Sequence, residues 1–331
     1  MTGVGAAATS AYRAPPWLPG GHAQTIYPFL LPRPSVSYRR ERVHTADGDF
    51  WDFDWVDGPR APGPDDPTPL VVLFHGLEGG SGSHYARALM VHLAALGWRG
   101  VVPHFRGCSG ELNRTPRAYH SGDHEEIAAL LAAVRARALN APLYAIGVSL
   151  GGSALLNWLG REGTRANAQV RAAAAVSAPL DLMAAGMAID RGFNRIYSWH
   201  FLETLKPKSM TMAQRFPGIL DASRIRSARS LYAFDDVVTA PLHGFAGTQD
   251  YWSRASSKPW LTGVRIPTLV LNARNDPFVP ATSLPDAAMV SDDVALEQPM
   301  GGGHVGFLSG RFPGHLKWLP GRLLQFLQHG V

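Results

Sequence analysis

The apolar and polar residues along the chain alternate between two kinds of segment. Short continuous apolar runs, typical of strands buried on both faces of a sheet, cover residues 70–74, 143–148, 172–177 and 266–272, with weaker runs at 100–103 and 294–298. Apolar residues at helical spacing lie between and after them, at 85–96, 127–138, 152–159 and 315–328. This alternation predicts an α/β fold with a mostly parallel central sheet and helices on both faces.

Two parts of the chain depart from this alternation. Residues 182–255 carry aromatic residues, methionines and helical spacing without a convincing strand, which predicts a helical cap inserted into the α/β core. Residues 1–37 contain six prolines and no periodicity, which predicts an extended N-terminal arm. The segments 39–44 and 50–55 flank a turn signal and predict a hairpin. The α/β core then has two parts, residues 38–181 and 256–331.

Length and composition suit one large α/β domain with an insertion. The 331 residues are 46% apolar, enough for a sizeable core. The single cysteine, Cys108, excludes an intramolecular disulfide and fits a reducing compartment, so we expect a cytoplasmic protein. We find no signal-peptide pattern and no apolar stretch approaching the roughly 18 residues of a membrane span. Composition does not determine the oligomeric state, and we expect a monomer.

The net charge of +5 comes mainly from arginine, since only four of the 31 basic residues are lysines. A site for nucleic acid usually shows a basic stripe interleaved with aromatic residues. The arginines here are scattered along the chain. We therefore expect no nucleic-acid partner.

The most informative motif is a G-x-S-x-G pentapeptide at 147–151, with Ser149 at its centre. An apolar run precedes it and a helical segment follows it, which is the strand–turn–helix context of a nucleophile elbow. Side chains at the flanking positions would collide with the neighbouring strand and helix, which explains the glycines. Ser149 would stand at the start of a helix, where amide groups and the helix dipole favour negative charge. We interpret Ser149 as a nucleophile.

A serine nucleophile needs a base and an acid that orients the base, and in sheets of this kind they follow in the order Ser, Asp or Glu, His. Asp276 follows the run at 266–272. His304 lies in a glycine-rich loop after the run at 294–298. Asp250 and Asp286 are weaker candidates for the acid, because no apolar run precedes them.

Two backbone N–H groups are candidates for an oxyanion hole, which stabilises negative charge on the substrate oxygen. Leu150 follows the nucleophile directly, and Leu77 lies in the loop after the run at 70–74. This chemistry needs no metal or other cofactor, and we expect none. His120 and His124 have the spacing of metal ligands, but the acidic residues beside them are more typical of a helix start.

Several motifs resemble the α/β-hydrolase fold family, and within it the YheT-like branch, also called the AB hydrolase 4 family. Those of the whole fold are 75–76, 147–152, 275–276 and 303–304. Those of the branch are the run 104–114 with 119–122, the residues 77–79 and the early segment 21–25, to which we assign no role. The resemblance covers the chain from about residue 17 onward.

This resemblance implies Ser149 as the nucleophile, Asp276 as the orienting acid and His304 as the general base. It also implies hydrolysis of carboxylic esters, short-chain in bacterial members and lipid-like in some eukaryotic relatives. We therefore expect a serine hydrolase that cleaves small-molecule or lipid-like esters with short- to medium-chain acyl groups through an acyl-enzyme intermediate.

Two alternatives to ester hydrolysis stay open at this stage. An acyltransferase or thioesterase could use the same three residues, and a non-catalytic α/β-hydrolase scaffold could bind a ligand or partner. The cap residues that would set acyl length are also ambiguous, because they either line an acyl pocket or form the cap's own core. These residues are Met183, Met187, Phe193, Tyr197, Trp199 and Phe201.

Overall fold

A single eight-stranded sheet organises the molecule, and the computed structural model describes residues 12–57 and 63–329. The strands lie in the order β1-β2-β4-β3-β5-β6-β7-β8. Strand β2 is antiparallel to both of its neighbours, β1 and β4, and all the other neighbouring pairs are parallel. They are β1 (Arg39–His44), β2 (Phe50–Val56), β3 (Leu70–Phe74), β4 (Arg99–Pro103), β5 (Leu143–Val148), β6 (Ala172–Val176), β7 (Thr268–Leu271) and β8 (Val294–Glu297).

Helices pack on both faces of this sheet, as predicted. Strand residues alternate between two apolar cores, so that Leu70 and Val72 of β3 face one core and Val71 and Leu73 face the other. The first core is closed by α3 (His124–Arg135) and α4 (Leu150–Glu162), and the second by α2 (His84–Ala95) and α11 (Trp318–His329). The predicted fold class is confirmed.

The sequence locates these elements to within a few residues. The predicted hairpin is β1 and β2, and the six apolar runs are β3 to β8. The largest shifts of a start, three residues each, are in α11 and α3. Helix α3 begins before its apolar segment because the Asp123 carboxylate accepts a hydrogen bond from the Glu126 N–H. Capping by a polar side chain starts this helix ahead of its apolar face.

Residues 182–255 contain only helical elements and loops. The α-helices are α5 (Leu182–Ile189), α6 (Arg195–Arg215), α7 (Ala222–Ser227), α8 (Leu231–Phe234), α9 (Ala240–Leu242) and α10 (Thr248–Ala255). A π-helical segment, Asp235–Thr239, joins α8 to α9. Three small apolar clusters hold this region, one of which is shared with residues 278–284.

The predicted extended arm needs a correction between residues 21 and 30. The structure has α1 (Gly21–Ile26) and a following 3-10 turn, Tyr27–Leu30. This helix is held by tertiary contacts that its sequence pattern does not signal, and an added Cβ on Gly21 would lie 1.9 Å from the Asn275 carbonyl oxygen. Residues 1–11 lie outside the described residues. No helix in the described part of the chain has the length and apolarity to cross a membrane.

Candidate active site

Ser149 occupies the turn between β5 and α4 in a strained conformation, with φ of +53°. Its N–H donates to the Val176 carbonyl of the neighbouring strand at 2.8 Å. The turn is tight because α4 passes directly over β3, and a Cβ on Gly151 would lie 2.5 Å from the carbonyl oxygens of Phe74 and His75. Glycine is therefore required there, and the serine hydroxyl stands above the carboxyl edge of the sheet.

The three predicted triad side chains form one hydrogen-bonded chain. His304 Nε2 lies 3.0 Å from Ser149 Oγ, and His304 Nδ1 lies 2.8 Å from Asp276 Oδ2. The Asp276 side chain is fully buried, whereas about a tenth of the His304 side chain is exposed. A carboxylate bound at Nδ1 selects the tautomer that carries the proton there, which leaves Nε2 free to accept the serine proton.

The Asp276 carboxylate is held by backbone groups of its own loop. Its Oδ1 accepts hydrogen bonds from the N–H groups of Phe278 at 2.8 Å and Val279 at 3.3 Å. The two weaker candidates lie elsewhere: Asp250 accepts from Ala246 and Arg254 within residues 182–255, and Asp286 caps a 3-10 turn.

The loop carrying His304 is fixed by α1, the segment to which the sequence assigns no role. The His304 N–H donates to Thr25 Oγ1 at 2.9 Å, and the Gly302 N–H donates to Gln24 Oε1 at 2.8 Å. Gly306 approaches this helix so closely that a Cβ would lie 2.0 Å from the Gln24 carbonyl oxygen. In the sequence, the similarity of residues 21–25 to the YheT-like branch is the one signal that this segment has a role in the site.

The candidate oxyanion loop passes directly over the nucleophile. An added Cβ on Gly76 would lie 3.1 Å from Ser149 Cβ, and the backbone then continues through Leu77 to Glu78, whose φ is +55°. His75 fixes the start of this loop, because its Nε2 accepts the Phe105 N–H at 3.1 Å. Burial lowers the pKa of His75 to about 3, so the ring stays neutral and keeps accepting that bond.

Glu78 connects the candidate oxyanion loop to residues 182–255. Its carboxylate pairs with Lys208 of α6 at 2.7 Å and accepts a hydrogen bond from the Tyr119 hydroxyl at 3.0 Å. The same hydroxyl accepts the Glu78 N–H at 2.8 Å. Cys108 lies beside this group, and burial raises the pKa of its thiol to about 12. A thiol that stays protonated is a poor nucleophile.

The run 104–114 is anchored through Asp49, the residue directly before β2. That carboxylate accepts hydrogen bonds from Asn113 Nδ2 at 2.7 Å, the Arg114 N–H at 2.9 Å and Thr115 Oγ1 at 2.6 Å, and it pairs with Arg106 at 2.8 Å. Burial alone would raise the pKa of Asp49, but these hydrogen bonds outweigh it and lower the pKa to about 2. The run therefore shapes one wall of the site.

A cavity of about 190 Å³ opens from Ser149 and His304. Leu77 and Leu150 line it, as do side chains of α5, α6, α8 and α10 and of the loop 106–121. Of the six residues that the sequence left open as pocket lining or core, Phe201 lines the cavity, whereas Met187, Phe193 and Trp199 are exposed. Met183 packs in a cluster with Tyr251 and Trp252, and Tyr197 packs near Phe278.

The two histidines with metal-like spacing belong to the start of α3. The His120 Nδ1 accepts the Gly122 N–H at 3.2 Å, and its ring packs 4.4 Å from that of His243. Across residues 12–57 and 63–329, no three His, Cys, Asp or Glu side chains are grouped so as to hold a metal ion.

Comparison with known proteins gives the same fold. A family model described as alpha/beta hydrolase fold matches residues 69–311. Among solved structures, the esterase Pf2001 of Pyrococcus furiosus superimposes with a TM-score of 0.54 at 16% identity, over 90% of this chain and 96% of that one. At that identity, the likeness supports the fold alone.

Two relatives share more of the sequence. YheT of Escherichia coli (strain K12), a protein named as an esterase, is 37% identical over 92% of this chain and 89% of its own length. Phospholipase ABHD3 of Homo sapiens is 33% identical over 97% of this chain and 79% of its own length. The chain is thus a hydrolase that belongs to the α/β-hydrolase family, in its YheT-like branch.

Proposed function

We propose that this protein is a serine carboxylic-ester hydrolase. Ser149 is the nucleophile, His304 the general base and Asp276 the residue that orients the base. The observation that carries this proposal is the pair of hydrogen bonds, 3.0 Å and 2.8 Å long, that link the three side chains. The chemistry expected from the motifs requires no metal ion or other cofactor.

The steps follow from that geometry. His304 Nε2 takes the proton of Ser149 as Oγ attacks the acyl carbonyl, and Asp276 stabilises the resulting imidazolium. The N–H groups of Leu77 and Leu150 receive the oxyanion, and each such donor contributes about 3–4 kcal/mol to transition-state stabilisation. His304 then gives its proton to the leaving alcohol, and water cleaves the acyl-enzyme with the same base.

We propose esters with short- to medium-chain acyl groups as the substrates. The cavity beside Ser149 is lined mainly by apolar side chains, including Ile189, Phe201 and Leu205 of residues 182–255, which we propose act as a cap. Relatives named as an esterase, a phospholipase and a monoacylglycerol lipase support hydrolysis of a carboxylic ester, and the size of the cavity is the basis for the proposed acyl length.

A fluorophosphonate probe tests the nucleophile directly. We expect the probe to label the wild-type protein and a Ser153→Ala control, since Ser153 lies one turn further along α4 and bonds Ser257. The Ser149→Ala variant should stay unlabelled. Persistent labelling of Ser149→Ala would overturn the assignment.

Rates with p-nitrophenyl esters of increasing acyl length then test the substrate class. We expect the highest kcat/KM in the short- to medium-chain range. A preference for thioesters, or for transfer to an added alcohol over water, would support the thioesterase or acyltransferase alternatives instead.

A further inference from the structure

Exposed apolar side chains concentrate in two segments of the described chain. Ile26, Phe29 and Leu30 are 39%, 55% and 73% exposed, and they lie at i, i+3 and i+4 along α1 and the 3-10 turn after it. Phe193, in the 3-10 turn before α6, and Ile196 and Trp199, at the start of α6, are 61%, 49% and 60% exposed. Six of the fourteen large exposed apolar residues described therefore lie in two short helical stretches. We call these six residues the rim surface.

The two halves of the rim surface meet through His22. The ring of His22 packs 4.8 Å from that of Phe193, and its Nδ1 lies 3.0 Å from the Tyr197 hydroxyl. His22 precedes Ile26 by one helical turn, so the two lie on the same side of α1. The six side chains therefore border one surface, and an apolar surface of this kind marks an interaction site.

This surface borders the loop that carries the proposed general base. Tyr197 packs on Phe278 at 4.6 Å, and Phe278 stacks on the His304 ring at 4.1 Å. On the other side, Phe29 packs on His84, whose Nε2 lies 3.3 Å from the Val305 carbonyl oxygen. One layer of side chains thus separates the rim surface from the His304 loop.

The charges around the rim surface are mainly positive. Arg33, Arg191 and Arg195 are exposed and lie within three residues of rim side chains, and no described carboxylate pairs with them. Asp190 is turned inward, where it accepts hydrogen bonds from the N–H groups of Leu231 and Tyr232. The carboxylate nearest along α6 is Glu203, one turn beyond Trp199.

We propose that the rim surface docks the protein on lipid surfaces that carry anionic headgroups. Exposed tryptophan and aliphatic side chains beside arginines combine the two forces that bind proteins to such surfaces, apolar insertion and attraction to negative lipid. A two-fold contact between copies would bring the same arginines together, so charge disfavours self-association here. The proposal goes beyond ester hydrolysis and does not depend on Ser149.

Vesicle sedimentation tests this docking. We expect wild-type protein to bind vesicles of equimolar phosphatidylglycerol and phosphatidylcholine more strongly than phosphatidylcholine alone, and added salt to weaken the binding. The double variant Ile196→Ser/Trp199→Ser should bind at least about tenfold more weakly, because it loses apolar insertion. Arg191→Gln/Arg195→Gln should lose about fivefold per arginine on the anionic vesicles.

The matched control is Leu96→Ser/Leu139→Ser, two exposed residues in loops that lead into β4 and β5. Those loops lie at the amino edge of the parallel strands, opposite the site, so binding should stay at the wild-type level. Hydrolysis of soluble p-nitrophenyl acetate at the wild-type rate would show that the variants are folded. If the wild type itself did not hydrolyse this ester, that result would contradict the proposed function and leave the docking proposal standing.

Two results would overturn the docking proposal. In the first, wild type binds neither vesicle, or the Ile196→Ser/Trp199→Ser variant binds as well as the control. In the second, wild type binds no vesicle and forms a dimer that the same variant disrupts. That result would assign the rim surface to a second copy of the chain.

Discussion

The sheet and the cap region, residues 182–255, are built in opposite ways. Every residue of β3, β4, β6 and β7 is buried, whereas only three of the 21 residues of α6 are buried. The sheet core closes on two large apolar clusters, and the cap region on three small ones. The densely packed sheet can hold reacting groups in fixed positions. In the less buried cap region, side chains of the inner wall can be exchanged at a lower cost in stability than in the sheet core.

Hydrogen bonds show the same contrast. Distant parts of the chain hold the His304 loop: its N–H bonds Thr25, and the Val305 N–H bonds Ser177 Oγ at 3.0 Å. Within the cap region, helix caps such as Asp221 and Ser230 bind groups two or three residues away, and Asp190 binds N–H groups 41 and 42 residues away, a much shorter span than the 279 residues between His304 and Thr25. Changes at the sheet edge should therefore affect the chemistry, and changes in the cap region should affect which ester is chosen.

The largest effect should come from Asp276→Asn. An amide cannot hold His304 in the tautomer that accepts the serine proton, so kcat should fall about 10³- to 10⁴-fold. The measurement is steady-state hydrolysis of p-nitrophenyl acetate. The control is Asp286→Asn, which alters only the cap of a 3-10 turn. A loss of less than about tenfold would remove Asp276 from the triad.

An intermediate effect should come from Leu205→Trp in α6. Leu205 lines the cavity of about 190 Å³, so a larger side chain should exclude the longer acyl groups. We expect kcat/KM for the longest accepted ester to fall about tenfold. The acetate ester should change little. The matched control is Ile219→Trp, an exposed position outside the cavity lining. An equal loss with all esters would show that the cap does not select acyl length.

The smallest effect should appear in the pH dependence of stability, at the contact between the two regions. Burial lowers the pKa of His120 and of His243 to about 3, and their rings pack 4.4 Å apart. The unfolded chain binds their protons below about pH 6.5 and the folded chain does not, so stability is full above that pH and falls between pH 6.5 and 3.

His243→Phe should therefore flatten this loss of stability. Between pH 7 and 5, the free energy of unfolding from urea titrations should decline less steeply than in wild type. The difference between the two slopes should correspond to at most one proton taken up on unfolding. A His329→Phe variant, which changes an exposed histidine on α11, should follow the wild-type slope. Identical slopes for all three proteins would show that the His120–His243 contact does not drive the acid response.

Local patterns were sufficient for most of the sheet. Its inner strands are continuous apolar runs. The start of α3 depends on the helix cap at Asp123, and the start of α4 depends on the elbow at Ser149. Both signals are visible in a few neighbouring residues. The roles of Ser149, Asp276 and His304 stay predictions, although the fold brings their side chains into hydrogen-bond contact. Chain order and strand ends were enough to select them from thirteen histidines and many carboxylates.

The sequence by itself determined the α/β fold class, the elbow at Ser149 and the family, because each depends on residues that are neighbours along the chain. Only the tertiary structure decided that α1 holds the His304 loop, that Asp49 anchors the run 104–114, and that Phe201 faces the cavity while Phe193 and Trp199 face outward. These contacts join residues far apart in sequence. Helical spacing identifies an apolar face, but what covers that face depends on the packing of the whole chain.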